Sequence, residues 1–327
     1  MNRKTVALVA ILAVSLLSSP LAVSSALADD FVQLRVGASF PTSWSYSCTV
    51  AIAEAVRQVD PSLDMMVQAT PGSTNHPYMF IANELDLGTG FTPTDYWANH
   101  GHPPMFEEPM EGVFYKVVPI AISKTHILVR DDSTIQSISD LNGRRVSVGE
   151  AGGAATQMAL NIVEALGLQL NAIQNSRTEA FEMLRDGRLD ALILNQGAPF
   201  AGVIEFATVA NPRFIPFTED EVATFVEAGP YCFSGYLTSN EYQFIPEPVR
   251  TLTQLQNIHA NATLDEEIVY RLTKAIVAAW PEVVRVVPAA GSVDPLVDVV
   301  KSVTKIHPGA IRYYEERGVV IPDELRP

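Results

Sequence analysis

The sequence predicts an α/β protein of two lobes. Strand-like and helix-like stretches alternate along the chain, and the length exceeds what one hydrophobic core usually serves. Loops rich in Gly, Ser, Thr and Asn also recur where a strand gives way to a helix.

The chain opens with Asn2, Arg3 and Lys4, an apolar-to-small run from Val6 to Leu17, and small residues ending in "ALADD". A basic start, a short apolar stretch and an A-x-A site predict a signal peptide over residues 1–28, cleaved after Ala28, and so an exported protein. The run is too short for a membrane span, which takes about 20 residues, and no later stretch approaches that length. The first cysteine is Cys48, so no lipid anchor is expected. Removing residues 1–28 takes away Arg3 and Lys4 and no acid, so the remaining 299 residues carry a formal charge of −17 where the whole chain carries −15. Such a chain is a poor partner for nucleic acid, whose phosphates are bound through Lys and Arg. Cys48 and Cys232 permit one disulfide or two small apolar residues.

"VQLRVG" alternates Val32, Leu34 and Val36 with polar residues and reads as a strand. After the loop "ASFPTSWSY", Val50, Ile52, Ala53, Val56 and Val59 fall at helical spacing until Pro61. "LDMMVQAT" and "ELDLGTG" are the next strands. Pro103 to Tyr115, with three prolines and no period, reads as an irregular surface excursion. "KVVPIAISKTHILVRDDS" is extended, and "RRVSVG" is a strand. "EAGGAATQMALNIVEALG" then opens a helix that carries Ala159, Ile162, Val163 and Leu166 on one face and closes at Gly167. Helix, turn and strand follow in "TEAFEMLRDGRLDALILNQG", and "APFAGVIEFATVA" is another helix. In "TLDEEIVYRLTKAIVAAW", Thr263 and Glu266 have capping-box spacing, Ile268, Leu272, Ala275 and Ala279 form the buried stripe, and Pro281 ends or kinks the helix.

Catalytic signatures are largely missing: no H-E-x-x-H, C-x-x-C, G-x-S-x-G or Walker G-K-[ST] occurs. Ser302 to Lys305 matches S-x-x-K without its partner motifs. His100, His102, Glu107 and Glu108 are possible ligands for a divalent metal, but their spacing fits no helix face and a solvated loop is the simpler reading. No cofactor is expected. The recurring device lies in "ATPGSTN" (Thr70 to Asn75), "GEAGGAAT" (Gly149 to Thr156) and "NQGAP" (Asn195 to Pro199). At such junctions free backbone N–H groups and the helix dipole favour an anion, and small residues let a ligand approach.

The run from "ATPGSTNHPYMFIANELDLG" through "DDSTIQSISDLNGRRVSVGEAGGAATQMALNIVEALGL" to "DGRLDALILNQGAPFAGVIEFA", closed by "HPGAIRYYEERG", resembles the solute-binding subunits of the TAXI branch of TRAP transporters. The resemblance covers about Val32 to Val320. It implies a type II periplasmic binding protein that is not an enzyme: two α/β lobes joined by crossing strands, working as a monomer in the periplasm. Such a receptor closes on a small organic acid or amino acid, of the glutamate-like or dicarboxylate class, and delivers it to TRAP membrane subunits. The crossings are placed near Ile120 to Val129 and Arg250 to His259, giving lobe I as residues 29–124 plus 253–327 and lobe II as 125–252.

Position by position, Tyr46 occupies a family tyrosine, Thr70, Gly72 and Ser73 match T-x-G-S, Thr92 stands for a serine, and Gly152 matches the first glycine of G-S-G-T. Gly153 and Ala155 replace the hydroxyls of that motif, Cys48, Thr49 and Val50 replace glycines, and Pro93 replaces an aspartate. Trp44, Tyr46, Phe91 and Trp97 can make the pocket more aromatic, which favours a less polar or larger carboxylate, although Trp97 reads equally as core. The expected ligand-binding set is Trp44, Tyr46, Thr70, Gly72, Ser73, Asn75, Phe91, Thr92, Gly152, Gly153, Ala154, Ala155, Thr156, Asn195, Gln196 and Gly197. His307 is expected to be a scaffold histidine at a helix entry. With Cys48 and Cys232 in different lobes, free thiols are expected. The alternatives are the receptor of an ATP-driven importer and a periplasmic enzyme assisted by metal at His100 and His102.

Overall fold

The computed structural model describes residues 31–103 and 105–327, so the proposed signal peptide over 1–28 lies outside the described residues. Ten strands form one mixed sheet. In chain order the strands and helices begin with β1 (Val32–Gly37), α1 (Trp44–Val59), β2 (Leu63–Gln68), α2 (His76–Ile81), β3 (Leu87–Phe91), α3 (Thr92–His100) and β4 (Phe114–Arg130). Next come β5 (Arg145–Gly149), α4 (Ala154–Ala165), β6 (Asn171–Gln174), α5 (Arg177–Arg185), β7 (Ala191–Gly197), α6 (Ala201–Val209) and β8 (Pro212–Phe214). The last are α7 (Glu219–Ala228), β9 (Phe233–Leu237), β10 (Val249–Asn261), α8 (Glu266–Val286), α9 (Pro295–Asp298) and α10 (Pro308–Glu316).

The sheet order is β2-β1-β3-β10-β4-β7-β5-β6, with β8 on β4 and β9 on β10. Parallel strands β2, β1 and β3 make one half, and parallel β7, β5 and β6 the other. The long strands β4 and β10 serve both. β4 pairs with β10 from Phe114 to Lys124 and then with β7 from Ser123 to Leu128. β10 pairs with β9 from Val249 to Thr253 and with β3 from Gln256 to Ala260. Pro119, which has no N–H for a ladder, sits opposite Asn257, where the register of β10 shifts by a bulge.

The first half is stabilised by α1 and α8, whose Ile52, Val56, Leu272 and Ile276 join Leu34 and Val36 in one core. α8 begins later than its sequence suggests. Asp265 is the N-cap, accepting from the N–H groups of Glu267 and Ile268, while Thr263 donates to Asn261 Oδ1, so the expected Thr263–Glu266 box is not formed. Pro281 does not end the helix; it is exposed, and the buried Trp280 and Val283 carry the apolar stripe past it. The segment after α3 is also less superficial than expected, because Phe106 is fully buried.

α10 shows what the "HPGAIRYYEERG" run does. His307 Nδ1 accepts from Gly309 N–H at 3.2 Å and its Nε2–H donates to Leu264 O at 3.1 Å. Burial pulls this histidine down to about 4, so it is neutral at physiological pH. A Cβ on Gly309 would lie 2.2 Å from Glu266 O, so only glycine lets α10 meet the start of α8. Buried Tyr314 donates to Val117 O at 2.9 Å and ties the helix to β4. The run is scaffold.

Cys48 and Cys232 are free and buried in separate cores. No helix among the described residues is long and apolar enough to cross a membrane.

Candidate functional site

The two halves face each other across a cleft, although Val32–Pro327 pack as a single unit. A cavity of about 40 Å³ lies in the cleft. From the first half come Ser39, Phe40, Ser43, Ser45, Ser73, Thr89, Gly90 and Phe91; from the second come Glu150, Gly153, Ala154, Ala155, Thr156, Arg177, Asn195 and Gln196; Gln256 of β10 completes the wall.

The loop after β1 supplies its hydroxyls by a local device. Ser43 is the N-cap of α1, accepting from Tyr46 N–H at 3.1 Å, so the helix starts at Trp44 and "SWSY" is not loop. Ser43 Oγ lies 3.0 Å from Ser45 Oγ. Ser39 has φ 71°, a left-handed conformation uncommon outside glycine and often found beside functional sites.

In the second half, the N-terminus of α4 opens onto the cavity through Gly153 to Thr156. Its N-cap, Gly153, has no side-chain oxygen to cap the free N–H groups, so the positive end of the helix dipole faces the cavity. Thr156 donates to Glu150 O at 2.6 Å, and Asn195 spans from Thr125 Oγ1 to Ala155 O, holding β7 to α4.

Among the described residues, Arg177 is the only cation on the wall. Its side chain is 13% exposed, and its Nη1 is buried without a hydrogen-bond partner, 3.8 Å from Glu150 Oε1. Burial lowers its pKa and Glu150 opposes that shift; a guanidinium nevertheless remains protonated at neutral pH. A desolvated cation with a free donor, beside an uncapped helix N-terminus, is a site for an anion. Arg177 escaped the sequence reading because no motif surrounds it. The available signal is its position as the first residue of α5 after the Ser176 cap, where the helix dipole disfavours a cation.

The residues expected from sequence divide into two sets. Ser73, Phe91, Gly153, Ala154, Ala155, Thr156, Asn195 and Gln196 line the cavity. The others lie around it. Thr70 accepts from Ser39 N–H and bonds His76 Nε2, and Thr92 donates to Tyr231 O while accepting from Leu255 N–H. Tyr46 is half-buried in the first turn of α1, and Trp44 is buried with its ring against Gly197, while its backbone N–H donates to Gln196 Oε1 at 3.4 Å. Asn75 Nδ2 reaches Thr74 Oγ1, and Thr74 donates to Gly152 O. Gly72 (φ 136°) and Gly152 (φ 79°) touch backbone to backbone across the cleft, and a Cβ on Gly72 would lie 2.2 Å from Gly152 O. Asn195 to Gly197 end strand β7 instead of forming a loop. Trp97 is core, stacked on His102 at 4.8 Å. Among the described residues no three His, Cys, Asp or Glu side chains gather to hold a metal.

Comparison with known proteins agrees with this architecture. Malate-bound MatC from Rhodopseudomonas palustris is 14% identical over 87% of this chain and 96% of its own, with a TM-score of 0.56. A protein described as a periplasmic transporter is 14% identical over 87% of this chain and 92% of its own, with a TM-score of 0.52. The fold is that of type II periplasmic binding proteins, the solute-binding proteins of periplasmic transporters. The NMT1-like family model matches residues 36–318, from the first strand to just past α10, and the chain belongs to the NMT1-like family.

Proposed function

We propose that this protein is the periplasmic solute receptor of a TRAP transporter of the TAXI type, binding a small organic acid or amino acid in the cleft and delivering it to the membrane permease. Residues 29–124 and 253–327 would form lobe I, residues 125–252 lobe II, and β4 and β10 the hinge. The observation that carries the reading is the Nη1 of Arg177, buried without a hydrogen-bond partner, beside the uncapped start of α4. A carboxylate placed there would receive a charge-assisted hydrogen bond and face the helix dipole. Malate bound in a protein of the same fold supports a carboxylate. The TAXI assignment rests on the resemblance of the "ATPGSTN", "DLNGRRVSVG" and "HPGAIRYYEERG" segments, in that order, to that branch.

Native mass spectrometry of the purified mature protein, followed by a thermal-shift screen of amino acids and mono- and dicarboxylates, tests the receptor role. A solute at a hundredfold excess over Kd stabilises the folded chain by about 2.7 kcal/mol. The shift is expected to disappear in Arg177→Gln. If no carboxylate shifts the wild type, or Arg177→Gln responds like it, the anion receptor is refuted. Uptake in reconstituted vesicles that persists after collapse of ion gradients and requires ATP would refute the TRAP assignment.

A further inference from the structure

The cavity wall holds a second group in need of a solute, on the reading of Arg177 just given. Among the described residues, five side-chain atoms are buried without a hydrogen-bond partner, and two of them belong to the wall: Arg177 Nη1 from the second half and Thr89 Oγ1 from the first. Thr89 lies on β3 and is 3% exposed. Its direction follows from the pleat. A Cβ on Gly88 would meet His76 and Phe80, and one on Gly90 would meet His259 and Asp95, so Thr89, between them, faces the other side of the sheet. There it pairs with Ile258 of β10, two residues from Gln256, which shares that face and also lines the cavity. Thr156, Asn195 and Gln256 of the same wall are already engaged, donating to Glu150 O, Ala155 O and Ser123 Oγ. A hydroxyl buried without a partner is costly unless a solute supplies one. The partner it suits is neutral. No anion lines the cavity from the first half, Glu150 of the second being the single carboxylate on the wall. Asp95, behind Gly90, accepts from Phe91 N–H and lies 3.2 Å from His259 Nε2. An ammonium against Thr89 would lose its hydration without gaining a free counter-charge, whereas a hydroxyl can both donate to threonine and accept from it.

We infer that the solute is a hydroxy acid, with its carboxylate on Arg177 and its hydroxyl on Thr89, and that Thr89 selects hydroxy acids over acids without the hydroxyl. Such a solute bridges the two halves, satisfying one buried group in each.

Titration calorimetry of the mature chain with butanoate, 2-hydroxybutanoate, 3-hydroxybutanoate and 2-aminobutanoate tests this. One of the two hydroxy acids is expected to bind at least about fivefold tighter than butanoate, which would leave the buried hydroxyl unsatisfied. Thr89→Val keeps the branched shape and removes the hydroxyl, so it should erase that preference, while Thr89→Ser should keep it. Thermal melts establish that both variants fold, and the wild-type comparison decides the hydroxyl preference without them. Equal binding of butanoate and both hydroxy acids, lost in Arg177→Gln, would overturn the inference and leave the anion receptor standing. A preference that survives in folded Thr89→Val would overturn the role of Thr89. Tighter binding of 2-aminobutanoate than of either hydroxy acid would overturn the neutral group. Absence of binding by all four acids would overturn the inference, and absence of any response in the wider carboxylate screen would overturn the receptor with it.

Discussion

Arg177→Met is expected to make the unliganded protein more stable while removing its response to acids. The wild-type side chain is 13% exposed and leaves Nη1 buried without a hydrogen-bond partner, a condition that costs about 1–3 kcal/mol. Its compensation is small: Glu150 lies 3.8 Å away, beyond hydrogen-bond distance, and keeps the hydrogen bond from Thr42. Methionine fills similar space without the charge. The net expectation is a gain of about 1–2 kcal/mol, a rise in Tm of roughly 2–3 °C for a chain of this size. Differential scanning calorimetry with and without a saturating carboxylate reads both effects. An arginine built for structure would behave oppositely. If Arg177→Met melts lower than wild type without solute, the guanidinium stabilises the fold and its assignment to an anion is refuted.

Two further predictions follow from burial. His76, His126 and His307 are each pulled down to about 4 by desolvation, below the ordinary 6.5. Between those pH values the unfolded chain binds more protons than the folded one, so stability should fall as the pH drops from 6.5 to 4, by up to about 1.4 kcal/mol per pH unit for each histidine. His307→Asn retains a side-chain cap and should flatten part of that slope; a Tm that does not change between pH 6.5 and 4.5 would refute the account. Burial also raises both thiols, Cys232 to about 12 and Cys48 further, so a thiol reagent should modify neither in the folded protein and both in denaturant. Finding no reactive thiol in denaturant would reveal a disulfide instead.

Much of the architecture was legible because strand and helix periods differ and the chain keeps to them. Leu34 and Val36 alternate on a strand, and Leu272, Ala275 and Ala279 recur on a helix, as their spacing indicates. Errors arose where two local signals competed. Ser43 followed by "WSYS" is a helix start, but the preceding proline and serines read as loop. Asp265 outcompeted Thr263 as a cap because Asn261 occupies the threonine hydroxyl. The site was half legible for a different reason. Small-residue loops such as Gly153 to Thr156 advertise themselves, whereas Ser39, Ser43, Thr89 and Arg177 come together only when β1, β3 and α5 are folded side by side. No periodicity encodes that meeting.

The backbone contact between Gly72 and Gly152 bears on how affinity can be tuned. On the proposed opening and closing of the lobes, this contact exists only in the closed form. Any side chain at Gly72 would meet Gly152 O there, while its positive φ already resists substitution. Affinity measured in solution is the closed form's affinity reduced by the fraction of molecules that occupy it. Substitutions here would weaken every solute by the same factor and leave the ranking among solutes intact. Selectivity and overall avidity are thus written in different residues: the first in the side chains around Arg177, the second in two glycines lying outside the cavity wall.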